Sequence, residues 1–153
     1  MTPQISIEVA TPRLLAAVRR RAPIREIATA WRPALDQVWS FLRKHPGLRT
    51  DGHNVFLYHH PANRLAPMDI DFGVEVVRSF APEGDITLAE TPAGKVLAAS
   101  HIGPYQRLGE THDAIHAYAA ANKLSFAGKS WEIYGDPVED SAKLETRIDY
   151  LLS

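Results

Sequence analysis

The chain has 153 residues, of which 45% are hydrophobic and 23% charged, the composition of a folded domain of ordinary size and not of a disordered segment. With 17 Lys and Arg against 18 Asp and Glu the formal net charge is −1, which argues against a nucleic-acid footprint and against an acidic tail. The lack of cysteine excludes disulfides, thiolate nucleophiles and Cys-type zinc sites.

From the N-terminus, MTPQISIEVATPRLL lacks a basic segment followed by an apolar core, and no apolar run approaches a membrane span, so a cytoplasmic location is expected. ISIEVA (5–10) and LLAAVRRR (14–21) read as strands joined by Thr11-Pro12-Arg13 as a hairpin. Ile24, Ile27, Ala28 and Trp31 fall on one helical face. Pro33 should break that helix at 31, because an interior proline loses a hydrogen bond and clashes with the preceding turn. A second helix then starts with Pro33 in its first turn and runs to about 45, where Pro46-Gly47 stops it. NVFLYHH (54–60) is a strand, and MDIDFGVEVVRS (68–79) alternates Ile70, Phe72, Val74 and Val76 against Asp69, Asp71 and Glu75.

After the polar turn APEGD (81–85) the pattern restarts. ITLAET (86–91) and KVLAASHI (95–102) are strands around Pro92-Ala93-Gly94. Gly103-Pro104 opens a helix to about Asn122, with Tyr105, Leu108, His112, Ile115 and Ala119 as its stripe. SWEIYGD (130–136) is a strand. KLETRIDYLLS (143–153) is another, with Leu144, Thr146, Ile148, Tyr150 and Leu152 on one face. Strand, proline turn, strand, proline-led helix, strand, strand thus occurs twice, about 3–80 and about 85–153. Ala22-Pro23-Ile24 answers Gly103-Pro104-Tyr105, and Leu57-Tyr58 answers Ile133-Tyr134. The expectation is an α+β fold within one domain, 1–153: duplicated strand-helix-strand-strand modules, a curved antiparallel sheet with helices on one face, and pseudo-two-fold symmetry. A cleft between the helices is the natural pocket.

Glu132 stands between Trp131 and Ile133, and alternation puts it on the face of Tyr134. Periodicity alone favours an exposed or ion-paired strand carboxylate, with Arg147 as a partner. Tyr58, Tyr105 and Tyr134 read first as half-buried core, although their symmetric placement suits a shared cleft. Trp39 and Trp31 face an uncertain direction because Pro33 interrupts the phase. His112 and His116 have metal-ligand spacing on a helix, but no third ligand declares itself, so no metal or other cofactor is expected. His59-His60 is a strand end, and His101 is structural. Arg19 and Arg21 read as a solvated, charge-protected edge strand, and Asp69, Asp71 and Glu75 as a solvated or ion-paired face.

HIGPYQRLGETHDAIHAYAAANKLSFAGKSWEIYGDP, the closing TRIDYLL, and FLYHHP followed by MDIDFGVEV resemble the GyrI-like small-molecule-binding family over about residues 3–153. That family includes effector domains of MerR-type and AraC-type multidrug regulators. The resemblance implies a stand-alone member with a central cleft for lipophilic compounds, cationic ones among them. Glu132 would meet the positive charge there. Tyr134, Tyr105, Tyr58, Trp39 and His112 would line the walls. Sequestration, sensing or detoxification would follow. One alternative implied by the resemblance is a hydrolase of cyclopropane-bearing genotoxins, with Glu132 acting on water and Tyr134 or Tyr105 donating a hydrogen bond. The other is an inhibitor that contacts DNA gyrase. A small molecule is the expected partner, and neither nucleic acid nor membrane is.

Overall fold

Alternating apolar residues build eight strands, and two longer 3.6-period stretches build the helices, in a computed structural model that describes residues 3–63 and 65–153. The strands are β1 (Ile5–Ala10), β2 (Leu14–Ala22), β3 (Asn54–His59), β4 (Met68–Glu75), β5 (Ile86–Glu90), β6 (Gly94–Ile102), β7 (Phe126–Tyr134) and β8 (Glu145–Leu152). The helices are α1 (Ile27–Lys44) and α2 (Leu108–Ala121), each entered through a 3-10 turn that follows a proline, Pro23 or Pro104. Among the described residues no helix is long and apolar enough to cross a membrane.

All eight strands form one antiparallel sheet in the order β1-β6-β8-β7-β3-β4-β2-β5. Exchanging β1–β4 for β5–β8 leaves that order unchanged when read backwards, which is the topology of a pseudo-two-fold between β3 and β7. The end strands do not pair, so the sheet is open.

Four expectations change. The segments 5–10 and 14–21 do not form a hairpin: β1 pairs with β6, while β2 lies between β4 and β5. The connection Thr11-Pro12-Arg13 contains no residue at positive φ, which a tight two-residue hairpin turn requires. The first strand of each half therefore crosses to the other half. For the same reason β2 is an interior strand, and Arg19 and Arg21 protect no edge. They form forked pairs with Asp71 and Asp69 of β4. α1 runs unbroken through Pro33. Ile27, Ala30 and Trp31 before the proline and Ala34, Leu35 and Val38 after it pack on the same core, and that burial outweighs a local penalty of about 3 kcal/mol. β7 begins four residues before the expected start, because Gly128 at φ 87° accommodates a register shift between Phe126 and Ser130.

Both helices cover one face. α1 packs on Val18, Phe56, Phe72 and Val74, and α2 on Leu97, Ala99, Ile148 and Tyr150. The other face has no helix, yet Leu15, Ala17, Val55, Leu57, Val96 and Trp131 are buried on it. These side chains form their own cluster there, with Ala10, Ala89, Ile133 and Leu151 packed against it. On that face Asp71 is held by Arg19 and His59, and Asp149 by Arg147.

Candidate functional site

α1 lies over β2 and β4, and α2 lies over β6. The central strands β3 and β7 form the floor between them. On β7, Ser130, Glu132 and Tyr134 share the helix-side face, and the register aligns Glu132 with Phe56 on one side and Ile148 on the other. Ser130 stands between Tyr58 and Tyr150. This brings a carboxylate, tyrosines and an α2 histidine to one place.

Glu132 is 5% exposed, and both of its oxygens are hydrogen-bonded. The Tyr58 hydroxyl donates to Oε1 at 2.6 Å, and the Tyr134 hydroxyl donates to the same oxygen. His112 Nε2 lies 2.7 Å from Oε2. His112 Nδ1 is 2.6 Å from the Tyr150 hydroxyl, and Ser130 Oγ is 2.7 Å from His60 Nε2. With a proton on Nε2, His112 donates to the carboxylate, while its Nδ1 meets the Tyr150 hydroxyl.

Burial pushes the Glu132 carboxyl upward, but the hydrogen bond and charge of His112 and the two tyrosine hydroxyls more than offset it, and the group is held below the usual carboxylate range. Burial, reinforced by the Glu132 charge, drives Tyr58 well above the ordinary phenol value, and burial with the neighbouring Tyr58 and Glu132 does the same to Tyr134. Both therefore stay protonated as donors. His60 is held below the ordinary imidazole value by burial and by the neighbouring His116 and His112. The site is an ionised, desolvated carboxylate held by hydroxyl and imidazole donors. Among the described residues no arginine or lysine shares its hydrogen bonds.

Aromatic rings surround it. Phe56 stands edge-on to Tyr134 at 4.8 Å, Tyr105 edge-on to Tyr134 at 5.7 Å, and Trp31 lies 6.3 Å from Phe56. Thr146 Oγ1, on the same face opposite Tyr134, is buried and has no hydrogen-bond partner.

Five of the six residues read from the sequence thus converge: Glu132, Tyr134, Tyr58 and His112 directly, and Tyr105 through the Tyr134 ring. Trp39 goes elsewhere. Its indole N–H bonds Asn54 at 3.0 Å, and the Arg49 guanidinium covers its ring. Arg147 is not the partner of Glu132. It lies on the opposite face with Asp149 and Glu8. His101 is structural, bonded to Thr111 and to the Pro104 carbonyl. Sequence reasoning missed Tyr150, Ser130, Phe56 and the inward turn of His60. The parity of TRIDYLL does place Tyr150 on the face of Ile148, but only the β7–β8 register sets it beside Ser130. Among the described residues no group of three or more His, Asp or Glu is arranged to hold a metal ion.

Two open grooves, of about 330 and 530 Å³, lie on the helix-free face and do not reach Glu132. The first carries the pair Arg147–Glu8, and the second the pair Arg19–Asp71 with Lys129 and Glu90.

The fold matches several solved structures. The EcmrR C-terminal domain is 22% identical, with a TM-score of 0.82, all of this chain and 99% of that chain covered. The same match spans 58% of the longer EcmrR chain seen in a DNA complex. SAV2435 bound to tetraphenylphosphonium is 13% identical, with a TM-score of 0.74 and 98% and 94% coverage. A hydrolase encoded by lin2189 from Listeria innocua is 12% identical, with a TM-score of 0.67 and 99% and 93% coverage. These likenesses concern the fold. No curated protein sequence matches. The family model for the GyrI-like small molecule binding domain matches residues 3–151, and the chain belongs to that family.

Proposed function

We propose that the cleft over β3 and β7 binds lipophilic cations, with Glu132 as the counter-charge and Tyr134, Tyr105, Tyr58 and Phe56 as aromatic surroundings. The observation that carries this is a carboxylate that is 5% exposed and hydrogen-bonded to two tyrosine hydroxyls and an imidazole, with aromatic rings around it. Among the described residues no arginine or lysine pairs with this carboxylate, and a buried carboxylate beside ring faces attracts a cation that brings its own apolar body. The bound tetraphenylphosphonium of SAV2435, on the same fold, supports the ligand class.

The test is calorimetric titration with proflavine, a flat aromatic cation. Glu132→Gln should bind about thirtyfold more weakly than wild type, roughly 2 kcal/mol, within the range for removing one charge of a desolvated pair. Equal affinity in the two proteins, or no binding by wild type of proflavine or of a panel of cationic dyes, sinks the proposal.

One observation favours a second reading, hydrolysis of a strained electrophilic ring. Tyr150, His112 and Glu132 stand in hydrogen-bond series, the hydroxyl–imidazole–carboxylate order that moves a proton in acid–base catalysis. Mass-spectrometric detection of ring-opened product from a cyclopropane electrophile would support it. Tight binding of that compound with no product rejects it.

A further inference from the structure

Thr146 lies in β8 on the helix-side face, in one row with Tyr134 of β7 and His101 of β6. It is fully buried, and its Oγ1 has no hydrogen-bond partner. Among the described residues no other buried side-chain nitrogen or oxygen is left in that state. An unpaired buried hydroxyl costs the fold its whole desolvation penalty.

The neighbours do not remove that penalty. The Tyr134 hydroxyl donates to Glu132. Both ring nitrogens of His101 are engaged, one with Thr111 and one with the Pro104 carbonyl. Packing does not call for a hydroxyl here either. When Tyr58 is matched with Tyr134, the β3–β4 register puts Ile70 where the β7–β8 register puts Thr146, and Ile70 is fully buried. The other half of the molecule fills this position with a hydrocarbon. The Thr146 hydroxyl thus serves neither the hydrogen bonds nor the packing of the fold.

Its missing partner is first of all an acceptor. An acceptor lone pair left empty is common, whereas a buried donor left unmatched is rare. The register also fixes where that acceptor sits. Thr146 is opposite Tyr134, and Ile148 is opposite Glu132. Thr146 and Glu132 are therefore diagonal neighbours, roughly 7–8 Å apart on the sheet. Tyr134 adjoins both, and Tyr105 stands edge-on to it at 5.7 Å. Tyr105 is 44% exposed, so the rings beside Thr146 end at the protein surface.

We propose that Thr146 is a specificity-determining residue of the cleft, whose hydroxyl donates to a carbonyl oxygen carried by the lipophilic cation one diagonal strand spacing from its charge. The proposal rests on the cation-binding reading above. It narrows the ligand class to cations with a carbonyl across one aromatic ring from the charge. The charge meets Glu132, the ring lies along Tyr134, and the oxygen accepts from Thr146. Thr146 gives up no bond to water in making this contact, because it is already dry.

The test uses two permanently charged probes of one shape. In (para-benzoylbenzyl)trimethylammonium a ketone lies across a phenylene ring from the nitrogen. In (para-benzylbenzyl)trimethylammonium a methylene replaces the ketone. Calorimetry gives both affinities on wild type, Thr146→Val, Thr146→Ser and Glu132→Gln. The ketone-to-methylene affinity ratio should fall at least about fivefold in Thr146→Val, where the ketone is buried without a donor. Thr146→Ser keeps the hydroxyl and should hold the ratio near that of wild type. The dehydration of the ketone is common to these proteins and cancels from the comparison. Without ligand, Thr146→Val should melt no lower than wild type, since it loses no bond.

If both probes bind, weaken in Glu132→Gln and keep their ratio in Thr146→Val, the carbonyl contact is overturned and cation binding stands. If neither probe binds wild type while proflavine does, this proposal falls alone; if no cation binds, both readings fall. A Thr146→Val protein that melts lower than wild type shows the hydroxyl serving the fold, and overturns the proposal. A ratio lost in Thr146→Ser as well would mean that shape and not the hydroxyl sets the preference, with the same consequence.

Discussion

Trp131→Ala should lower the unfolding free energy by about 3–5 kcal/mol, read as an earlier urea midpoint at unchanged slope. Trp131 is 2% exposed and lies on the helix-free face of the sheet with Leu57, Val55, Val96 and Ala98. No helix can move in to fill the space left by the indole. The cluster is built from strand residues alone, so it collapses onto a cavity less readily than a helix-covered core. Its backbone is also tightly set. A Cβ on Gly73 would come within 2.9 Å of the Ala16 carbonyl oxygen and 3.1 Å of Ala17 Cβ, so β4 and β2 lie too close there for a side chain at 73. Ile7→Ala is the control. That side chain is 51% exposed on an end strand, and its loss should change stability by less than about 0.5 kcal/mol. A loss below about 1 kcal/mol for Trp131→Ala would mean that the helix-free face is not a packed layer.

The element list was legible in the sequence because it depends on local periodicity and punctuation. Alternation in MDIDFGVE and TRIDYLL, and the two proline-led helices, are properties of a few neighbouring residues. Strand pairing was not legible. Thr11-Pro12-Arg13 looks like a hairpin turn, and only the completed ladder shows that β1 pairs with β6 and β2 with β4 and β5. Pro33 misled for the opposite reason. Its local cost is real, but the residues on both sides of it bury against one sheet face, and tertiary packing overrides the local penalty.

The candidate site divides in the same way. Glu132 and Tyr134 are neighbours in parity on one strand, so alternation pairs them, and repetition of the Leu-Tyr step brings in Tyr58. His112 was visible as a polar residue on an otherwise apolar helical stripe. Tyr150, Ser130 and Phe56 depend on register across three strands, which no single segment encodes. The direction of Trp39 was open in the sequence because Pro33 interrupts the phase. In the unbroken α1 it is Trp31 that reaches Phe56, while Trp39 turns to Asn54.

Glu132→Gln should flatten the acid limb of the stability curve. The Glu132 carboxyl is held below its ordinary value of 4.5 in the folded protein, because His112, Tyr134 and Tyr58 outweigh the effect of burial. A group with a depressed folded value contributes stability that is fully present above the unfolded value and is lost as pH falls through the folded one. At pH 7 the variant should therefore be less stable than wild type by roughly 1–3 kcal/mol, the scale of hydrogen bonds to a charged acceptor. That difference should shrink steadily as pH drops below about 4.5. Asp71 is also depressed, against the opposing effect of its burial, by His59 and Arg19, and Asp149 is raised by burial. Both lie on the other face of the sheet and remain in the variant, so they cancel in the comparison. Urea unfolding at half-unit steps from pH 7 to pH 3.5 measures the gap directly. A gap that stays constant, or that widens toward acid, would mean that the carboxylate is not held ionised by its three donors. Tyr58→Phe and Tyr134→Phe separate the contributions. Each removes one donor from Oε1, so each should raise the pH at which the acid loss begins and leave the limb itself in place. A tyrosine whose removal does not move that onset supports the packing of the cleft but not its charge.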